Sequence, residues 1–243
     1  MYLRKILNHQ VFHGLLTEII TEKRCIINTI NPHSYCIAKN DTVFSEALRS
    51  SDVLLPDGSG IVLATKTLTG KKINKIAGAD IHQYLLEQAN LKSQKVFYLG
   101  ASRSTLQLIE KRIAKEFPRI QVASYSPPYK RLFFIEDTAA MIAKANAFHP
   151  VVLFVGMTAP KQEKWVFQNK NSLNATVICS IGAVFDFYAG TVKRPSQFWI
   201  KLGLEWLPRF LREPRRLFRR NLISTPKFII EVISYKIFGK GIL

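Results

Sequence analysis

Short apolar runs alternate with longer segments of helical periodicity along most of this chain. Six runs rich in Val, Ile and Leu predict buried strands, at residues 25–30, 53–55, 96–99, 120–124, 151–155 and 175–181. Between them, the spacing of apolar residues predicts helices near residues 34–50, 80–90, 104–117, 135–147 and 160–169. This alternation predicts an α/β fold with a Rossmann-like, mostly parallel sheet flanked by helices. Ligands of such sheets bind at the carboxyl ends of the strands, so the loops there are candidate sites.

The hydrophobic pattern changes after residue 193. From there the chain reads as basic amphipathic helices broken by three prolines, at positions 208, 214 and 226. The last of these helices, near residues 226–238, is mostly apolar and carries few charges. We therefore predict an α/β core over residues 1–193 and a helical C-terminal appendage over residues 194–243.

Composition and charge separate the two parts further. The chain has 243 residues, of which 47% are hydrophobic and 21% charged, which is the balance of a globular protein. Its net charge is +18, and residues 193–243 supply half of it, with 12 Lys and Arg against three Glu. Such an asymmetry favours a partner that is nucleic acid, anionic lipid or a phosphorylated substrate.

The cysteines and the apolar runs bear on the compartment. Cys25, Cys36 and Cys179 are odd in number, widely spaced and set in apolar runs, so we expect reduced thiols and a cytosolic protein. No Cys or His spacing suits a zinc site. The N-terminus lacks the apolar core of a signal peptide, and no run reaches the roughly 20 apolar residues of a spanning helix. We expect any membrane contact to be made from the surface.

An acid directly follows the second predicted strand. Asp57 lies in the sequence Pro56-Asp57-Gly58-Ser59-Gly60, where the glycines let a ligand approach the backbone. A catalytic base suits that position. An ordinary Asp-Gly turn gives the same pattern, and the segment alone leaves both readings open.

Two further loops carry polar side chains. Thr29 and Asn31 end the first strand on the same side, because side chains alternate with a period of two. Lys161 and Gln162 follow a proline at the start of a helix, where backbone N–H groups can bind an anion or sugar hydroxyls. Solvated first-turn residues would look the same.

Arginines recur with spacings of three and four in the appendage, at positions 212, 215, 216, 219 and 220. Several of them share one helical face, where like charges repel unless an anionic partner binds them. The Asp residues stand at positions 41, 52, 57, 80, 137 and 186, so no Asp-x-Asp metal motif is present. Arginine is therefore the side chain available to stabilise the negative charge of a phosphorylated ligand in place of a metal ion. We expect no cofactor and no metal.

Several motifs occur in a fixed order over residues 29–228. They are Thr29-x-Asn31, Pro56-Asp57-Gly58-x-Gly60, Gly78-x-Asp80, Phe97-Tyr-Leu-Gly100, Gly156-x-x-x-Pro160-Lys-Gln-Glu163, Gly182-Ala-x-Phe-Asp186-x-x-Ala-Gly190, Arg194-Pro195 and Gly203-Leu-Glu-Trp206 through Glu213-Pro-Arg-Arg216. Together they resemble the WecG/TagA/CpsF family of bacterial glycosyltransferases. The Pro-Lys-Gln-Glu and Gly-Leu-Glu-Trp blocks are the most specific of them.

The resemblance implies an inverting transferase that moves a sugar from a UDP-sugar donor to a polyprenyl-diphosphate-linked glycan. The sugar would be of the N-acetylmannosamine type or another hexose, and the product a cell-surface polysaccharide. The enzyme would work at the cytoplasmic face of the bacterial plasma membrane, held on the anionic membrane surface by its appendage.

The same resemblance assigns roles by position. It makes Asp57 the base, puts Thr29, Asn31 and Gln162 around the sugars, and puts Asp186 on the uridine. Lys75 falls where relatives usually carry Arg, so it keeps the charge and loses the bidentate fork. Three arginines of the appendage would reach the diphosphate, at Arg209, Arg216 and Arg219.

Two alternatives compete with this reading. A basic nucleic-acid-binding protein without catalysis would explain the pI of about 10.0, but the basic residues stand among leucines and tryptophans and form no recognition module. A membrane-bound scaffold that has lost catalysis is disfavoured, because Asp57 and the arginines are all present. The sequence leaves open the donor sugar, the acceptor, the linkage and whether the protein is a homo-oligomer.

Overall fold

A six-stranded, all-parallel sheet forms the centre of the protein. The computed structural model describes residues 10–19, 21–193, 196, 198–199 and 206–239, with only the backbone of Arg209, Arg212 and Arg216. The strand order is β2-β1-β6-β5-β3-β4, and the strands are β1 Cys25–Ile30, β2 Val53–Pro56, β3 Lys95–Gly100, β4 Gln121–Tyr125, β5 Val152–Gly156 and β6 Val177–Ser180. The predicted α/β, Rossmann-like fold is confirmed.

Helices cover both faces of this sheet. In the core they are α1 Pro32–Ala38, α2 Thr42–Arg49, α3 Ser59–Thr69, α4 Gly78–Leu91, α5 Arg103–Glu116, α6 Ile135–Phe148, α7 Lys161–Asn169 and α8 Gly182–Ala189. Single turns of 3₁₀-helix occur at Leu16–Glu18 and Lys170–Ser172. One buried cluster joins the sheet to α4, α5 and α8, and two others join its opposite face to α1, α2, α3, α6 and α7.

Two predictions of helices were wrong. The helix predicted over residues 34–50 is divided into α1 and α2, because Asp41 begins a new helix by accepting a hydrogen bond from Phe44 N at 3.0 Å. Helix α3 was not among the predicted helices; it begins at Ser59, directly after Asp57 and Gly58.

The C-terminal segment docks on the core with one face of its last helix. It contains α9 Trp206–Arg212, α10 Pro214–Phe218, a π-helical stretch Arg219–Ser224 and α11 Thr225–Phe238. Phe228 and Val232 of α11 are buried in the cluster formed with α1 and α3. Pro208, Pro214 and Pro226 each lie in the first turn of a helix, where the missing N–H costs nothing.

A buried carboxylate also holds α11 to the core. Glu231 accepts hydrogen bonds from Tyr35 Oη at 2.7 Å and Lys39 Nζ at 2.8 Å, both from the first helix region of the chain. The pairing compensates the cost of burying the charge. The opposite face of α11 exposes Ile230, Ile233 and Ile237.

The state of the cysteines and the apolar length of the helices can also be compared with the predictions. Cys25, Cys36 and Cys179 are all free, as expected, and burial raises the pKa of Cys25 to about 11. Such a thiol stays protonated and unreactive at neutral pH. Over the described ranges, no helix is both long enough and apolar enough to cross a bilayer.

Candidate active site at the carboxyl edge of the sheet

The ends of β1 and β2 bring three of the predicted site residues together. Thr29 pairs with Leu55 in the parallel register, and Asp57 N donates a hydrogen bond to Ile30 O at 2.9 Å. Asp57 therefore lies directly beside Asn31 at the carboxyl edge, and all three side chains of the set are half-buried. Gly58 follows with φ at +99°, a left-handed conformation that turns the chain from β2 into α3 right after the acid.

Asn31 has a structural task besides any contact with a ligand. Its Oδ1 accepts from His33 N and Ser34 N, both at 3.0 Å, and so caps α1. The carbonyl end of the side chain is used in this way, and the NH₂ end is the one that can donate to a ligand.

Lys75 reaches the same edge from the segment between α3 and α4. Ile76 N donates to Pro56 O at 3.0 Å. The backbone of the preceding residue, Lys75, therefore lies next to the end of β2, where Asp57 follows. Its side chain is half-buried. A positive charge is thus provided close to the candidate base.

The side chain of Gln162 is buried and hydrogen-bonded inside the protein. It is only 4% exposed, and its Oε1 accepts from Met157 N at 3.0 Å and from Gly182 N at 3.1 Å. Its Nε2 donates to Glu163 Oε1 at 2.8 Å. The side chain therefore ties the loop after β5 to the start of α8, and its contact with a sugar stays a prediction.

Asp186 depends on that tie, because it lies on the short helix α8 that Gln162 anchors. The helix begins at Gly182, just past the end of β6, which is the neighbour of β1 in the sheet. Asp186 is half-buried, and its carbonyl accepts from Val192 N at 3.2 Å and Thr191 Oγ1 at 3.1 Å. Asp186 therefore lies in the second turn of the helix that follows β6, and its contact with the uridine stays a prediction.

Positive charge from the C-terminal segment reaches the loop after β1. Ser224 Oγ lies 2.8 Å from His33 Nδ1, and Cys36 Sγ donates to Ser224 O at 3.3 Å. Burial lowers the pKa of His33, and the charges of Arg220 and Arg219 lower it further. The charges of Arg219 and of Arg220 therefore act on His33, two residues after Asn31, and sequence reasoning had not placed Arg220 there.

Some predicted residues lie outside the described part of the chain. They are the side chains of Arg209 and Arg216, the pair Arg194-Pro195, and the first three residues of the Gly203-Leu-Glu-Trp206 block. Their roles stay predictions.

A buried acid next to Gln162 was missed from the sequence. Glu163 is buried, its Oε2 has no hydrogen-bond partner among the described residues, and burial raises its pKa to about 7. Its place in the first turn of α7 gave it the pattern of a solvated residue. Gln162 has the same sequence pattern. Only the packing of α7 against the sheet distinguishes these two buried side chains from solvated first-turn residues.

Glu163 should make stability fall as pH rises. Between the unfolded value of 4.5 and the folded value of about 7, the folded protein binds more protons than the unfolded one, so the unfolding free energy decreases through this window. Glu163→Gln is neutral at every pH and can still accept from Gln162. We expect the unfolding free energy of the variant, measured by urea denaturation, to rise relative to wild type by about 2 kcal/mol from pH 5 to pH 8.

Taking the difference between variant and wild type removes the other titrating groups. Burial lowers the pKa of His82 to about 3, and this histidine titrates in the opposite sense below pH 6.5. Glu46→Gln, which removes an exposed carboxylate of α2, should show no such pH-dependent gain. A flat difference for Glu163→Gln would show that Glu163 keeps an ordinary pKa.

The described side chains offer no cluster of three or more His, Cys, Asp or Glu residues that could hold a metal ion. Asp57 and the backbone of Lys75 lie beside the end of β2 at the carboxyl edge, and the charges of Arg219 and Arg220 act on His33 in the loop after β1. This set can remove a proton and stabilise a developing anion.

Comparison with known proteins identifies the family. Residues 4–241 match the model of the glycosyl transferase WecG/TagA/CpsF family. A protein of Bacillus spizizenii is 32% identical over 227 residues, which cover 93% of this chain and 85% of the relative. One of Bacillus subtilis is 33% identical over 212 residues, covering 86% and 79%, and one of Staphylococcus aureus is 29% identical over 210 residues, covering 86% and 80%.

These three relatives bear the same name, N-acetylglucosaminyldiphosphoundecaprenol N-acetyl-beta-D-mannosaminyltransferase. The family match extends over both the core and the C-terminal segment, and the relatives are matched over most of their own length. The enzyme reading is thereby confirmed over a binding protein without catalysis: the chain belongs to the WecG/TagA/CpsF family of glycosyl transferases.

Proposed function

We propose that this protein is an inverting, metal-independent glycosyltransferase that uses a UDP-sugar. The sugar, of the N-acetylmannosamine type or another hexose, would go to a glycan linked to a polyprenyl diphosphate, in the synthesis of a cell-surface polysaccharide. The names of the relatives support an acceptor of this kind and a sugar of the mannosamine type.

One observation carries the proposal: Asp57 stands beside Asn31 at the end of two neighbouring strands, with Arg219 and Arg220 close to the same loop. Inverting transfer needs a base that takes the proton of the acceptor hydroxyl while the bond to UDP breaks. It also needs positive charge on the departing diphosphate, which arginine supplies through bidentate hydrogen bonds.

The other roles follow the site's layout. Thr29 and the NH₂ group of Asn31 would hold sugar hydroxyls beside Asp57, and Lys75 would add positive charge near the phosphates. Asp186 would meet the uridine from α8, with Gln162 fixing the start of that helix. Arg209, Arg216 and Arg219 would bind the diphosphate once the C-terminal segment is in place.

The C-terminal segment would also hold the enzyme on the cytoplasmic surface of the plasma membrane. Its last helix buries one face on the core and exposes isoleucines on the other, beside Lys227 and Lys236. Each Lys or Arg close to anionic lipid contributes on the order of 1 kcal/mol. Residues 194–243 would thus complete the active site and attach it to the membrane that holds the acceptor.

The function is tested by measuring UDP release with a panel of UDP-sugars and a polyprenyl-diphosphate-sugar acceptor. Release that needs both the acceptor and one particular donor would establish the transferase and identify the sugar. If no donor gives release and calorimetry detects no binding of UDP, the proposal is wrong.

Turnover is expected to persist without a divalent metal. The positive charge at the site comes from Lys and Arg side chains, which a chelator does not remove. We expect the rate of UDP release to be the same with and without EDTA. Loss of activity in EDTA, with recovery on adding Mg²⁺ or Mn²⁺, would contradict the proposal.

A further inference from the structure

The loop between β4 and α6 exposes an unusual number of large apolar side chains. Tyr129 is fully exposed, Leu132 is 76% exposed, Phe134 64% and Ile135 81%, all within seven residues. Single exposed apolar residues are common on soluble proteins and require no explanation. Four in one short loop indicate a surface that is covered when the protein works.

The surrounding contacts hold this loop in place. Lys161 Nζ donates to Lys130 O and lies 3.4 Å from the centre of the Phe133 ring. Lys130 Nζ bonds both oxygens of Asp137, at 3.0 and 2.9 Å, and Asp137 Oδ2 also accepts from Phe134 N at 2.9 Å. These bonds hold the backbone of the loop while Tyr129, Leu132, Phe134 and Ile135 stay exposed.

Charged residues accompany the apolar ones. Lys130 and Asp137 neutralise each other, which leaves Arg131 and Lys161 against Glu136, an excess of one positive charge. Arg131 is exposed beside Leu132. An apolar tip with a cationic flank is the pattern of segments that enter the boundary between lipid headgroups and acyl chains.

The loop also lies at the functional edge of the sheet. It follows the carboxyl end of β4, and Lys161, which binds it, begins the helix after β5. The C-terminal segment reaches the same edge from the other side, where Ser224 meets His33 after β1. The two surfaces therefore lie on the same edge of the sheet, the C-terminal segment beside the candidate site at β1 and the loop at β4, the far end of the strand order.

We propose that residues 129–135, here called the β4–α6 tip, insert into the surface of an anionic lipid bilayer as a second attachment point, independent of the C-terminal segment. The inference rests on the proposed function in one respect: an acceptor anchored in lipid requires the carboxyl edge to face the membrane. Attachments at both β1 and β4 would fix that orientation, which one attachment at the β1 side leaves free to rotate. A partner protein is the weaker choice, because one short tip offers far less than the roughly 1,000 Å² of a stable interface.

The test is the binding of the full chain to phosphatidylcholine vesicles made with and without phosphatidylglycerol, in the absence of acceptor. The variant is Leu132→Glu/Phe134→Glu. The matched control is Leu91→Glu/Leu108→Glu, which makes the same change of charge at exposed positions of α4 and α5, with Leu91 as exposed as Phe134 at 64%. We expect the tip variant to lose at least about tenfold in partitioning to the anionic vesicles, and the control to stay within about twofold of the wild type.

Equal vesicle binding by the tip variant and the control would overturn the proposal. So would a wild-type dimer that the tip variant converts to monomer with vesicle binding unchanged, since the tip would then contact a second copy. UDP release with a soluble short-chain acceptor separates this proposal from the proposed function. Tip-dependent binding by an inactive wild-type protein would keep the attachment and refute the transferase, whereas activity with tip-independent binding would do the reverse.

Discussion

Asp57→Asn is expected to lower acceptor-dependent UDP release by about 10²-fold or more, with little change in the binding of UDP. Removal of a general base costs typically about 10²–10⁴-fold in rate. Asparagine has nearly the same shape, so the turn at Gly58 and the backbone bond from residue 57 to Ile30 O should persist. The loss is therefore expected in kcat, because the proton of the acceptor hydroxyl has no group to receive it.

The control for this change is Glu46→Gln, which also neutralises one carboxylate but lies exposed on α2, away from the carboxyl edge. It should keep the wild-type rate. Calorimetry with UDP should give similar affinities for all three proteins. If Asp57→Asn turned over at the wild-type rate, the ordinary Asp-Gly turn would be the correct reading of this segment.

Gly182→Ala is expected to damage both stability and turnover. A Cβ at this position would press into the carbonyl oxygen of Met157 and stand 2.6 Å from Gln162 Oε1. The start of α8 would have to move, which breaks the bond from Gly182 N to Gln162. We expect a loss of about 2 kcal/mol or more in unfolding free energy, as in overpacked cores.

The effect on turnover should follow from the same shift. Helix α8 carries Asp186, and a displacement of about 1 Å in a site can cost about 10²-fold in rate. Ala183→Ser is the matched control, since the neighbouring side chain is exposed and should tolerate a hydroxyl group. Thermal unfolding and kcat/KM measured on both variants decide the matter. A Gly182→Ala protein as stable and active as Ala183→Ser would show that the tie between the two loops has no consequence.

Most of the strands could be predicted from the sequence because they are buried on both faces, as β1, β5 and β6 are. Residues 151–155 form a continuous apolar run and residues 25–30 are mostly apolar, both of a length that helices rarely have, and β5 and β1 occupy them almost without change. Helix α3 could not be found in this way. Its apolar residues Ile61 and Ala64 belong to a cluster that also includes Phe228 of α11, so no plain polar face reveals the helical period.

In the site, too, some residues could be located from the sequence pattern and some contacts could not. Thr29, Asn31 and Asp57 were predictable because they end two strands that are consecutive in the chain and adjacent in the sheet. The bond between Gln162 and Gly182 was not, since it depends on β5 and β6 being neighbours, which only the strand order gives. Glu231 did leave a signal, as the only acid in an apolar helix, yet its partners Tyr35 and Lys39 are nearly two hundred positions away.

The long separation between these contacting residues affects how the protein folds during its synthesis on the ribosome. Tyr35 and Glu231 are 196 positions apart, and Phe228 closes a cluster whose other members belong mostly to the first third of the chain. During synthesis, the apolar surface of α1 and α3 is therefore made early and stays open until α11 has emerged. A chain released before that point keeps the surface exposed, which marks it for chaperones and proteases. The last helix thus distinguishes finished molecules from unfinished ones.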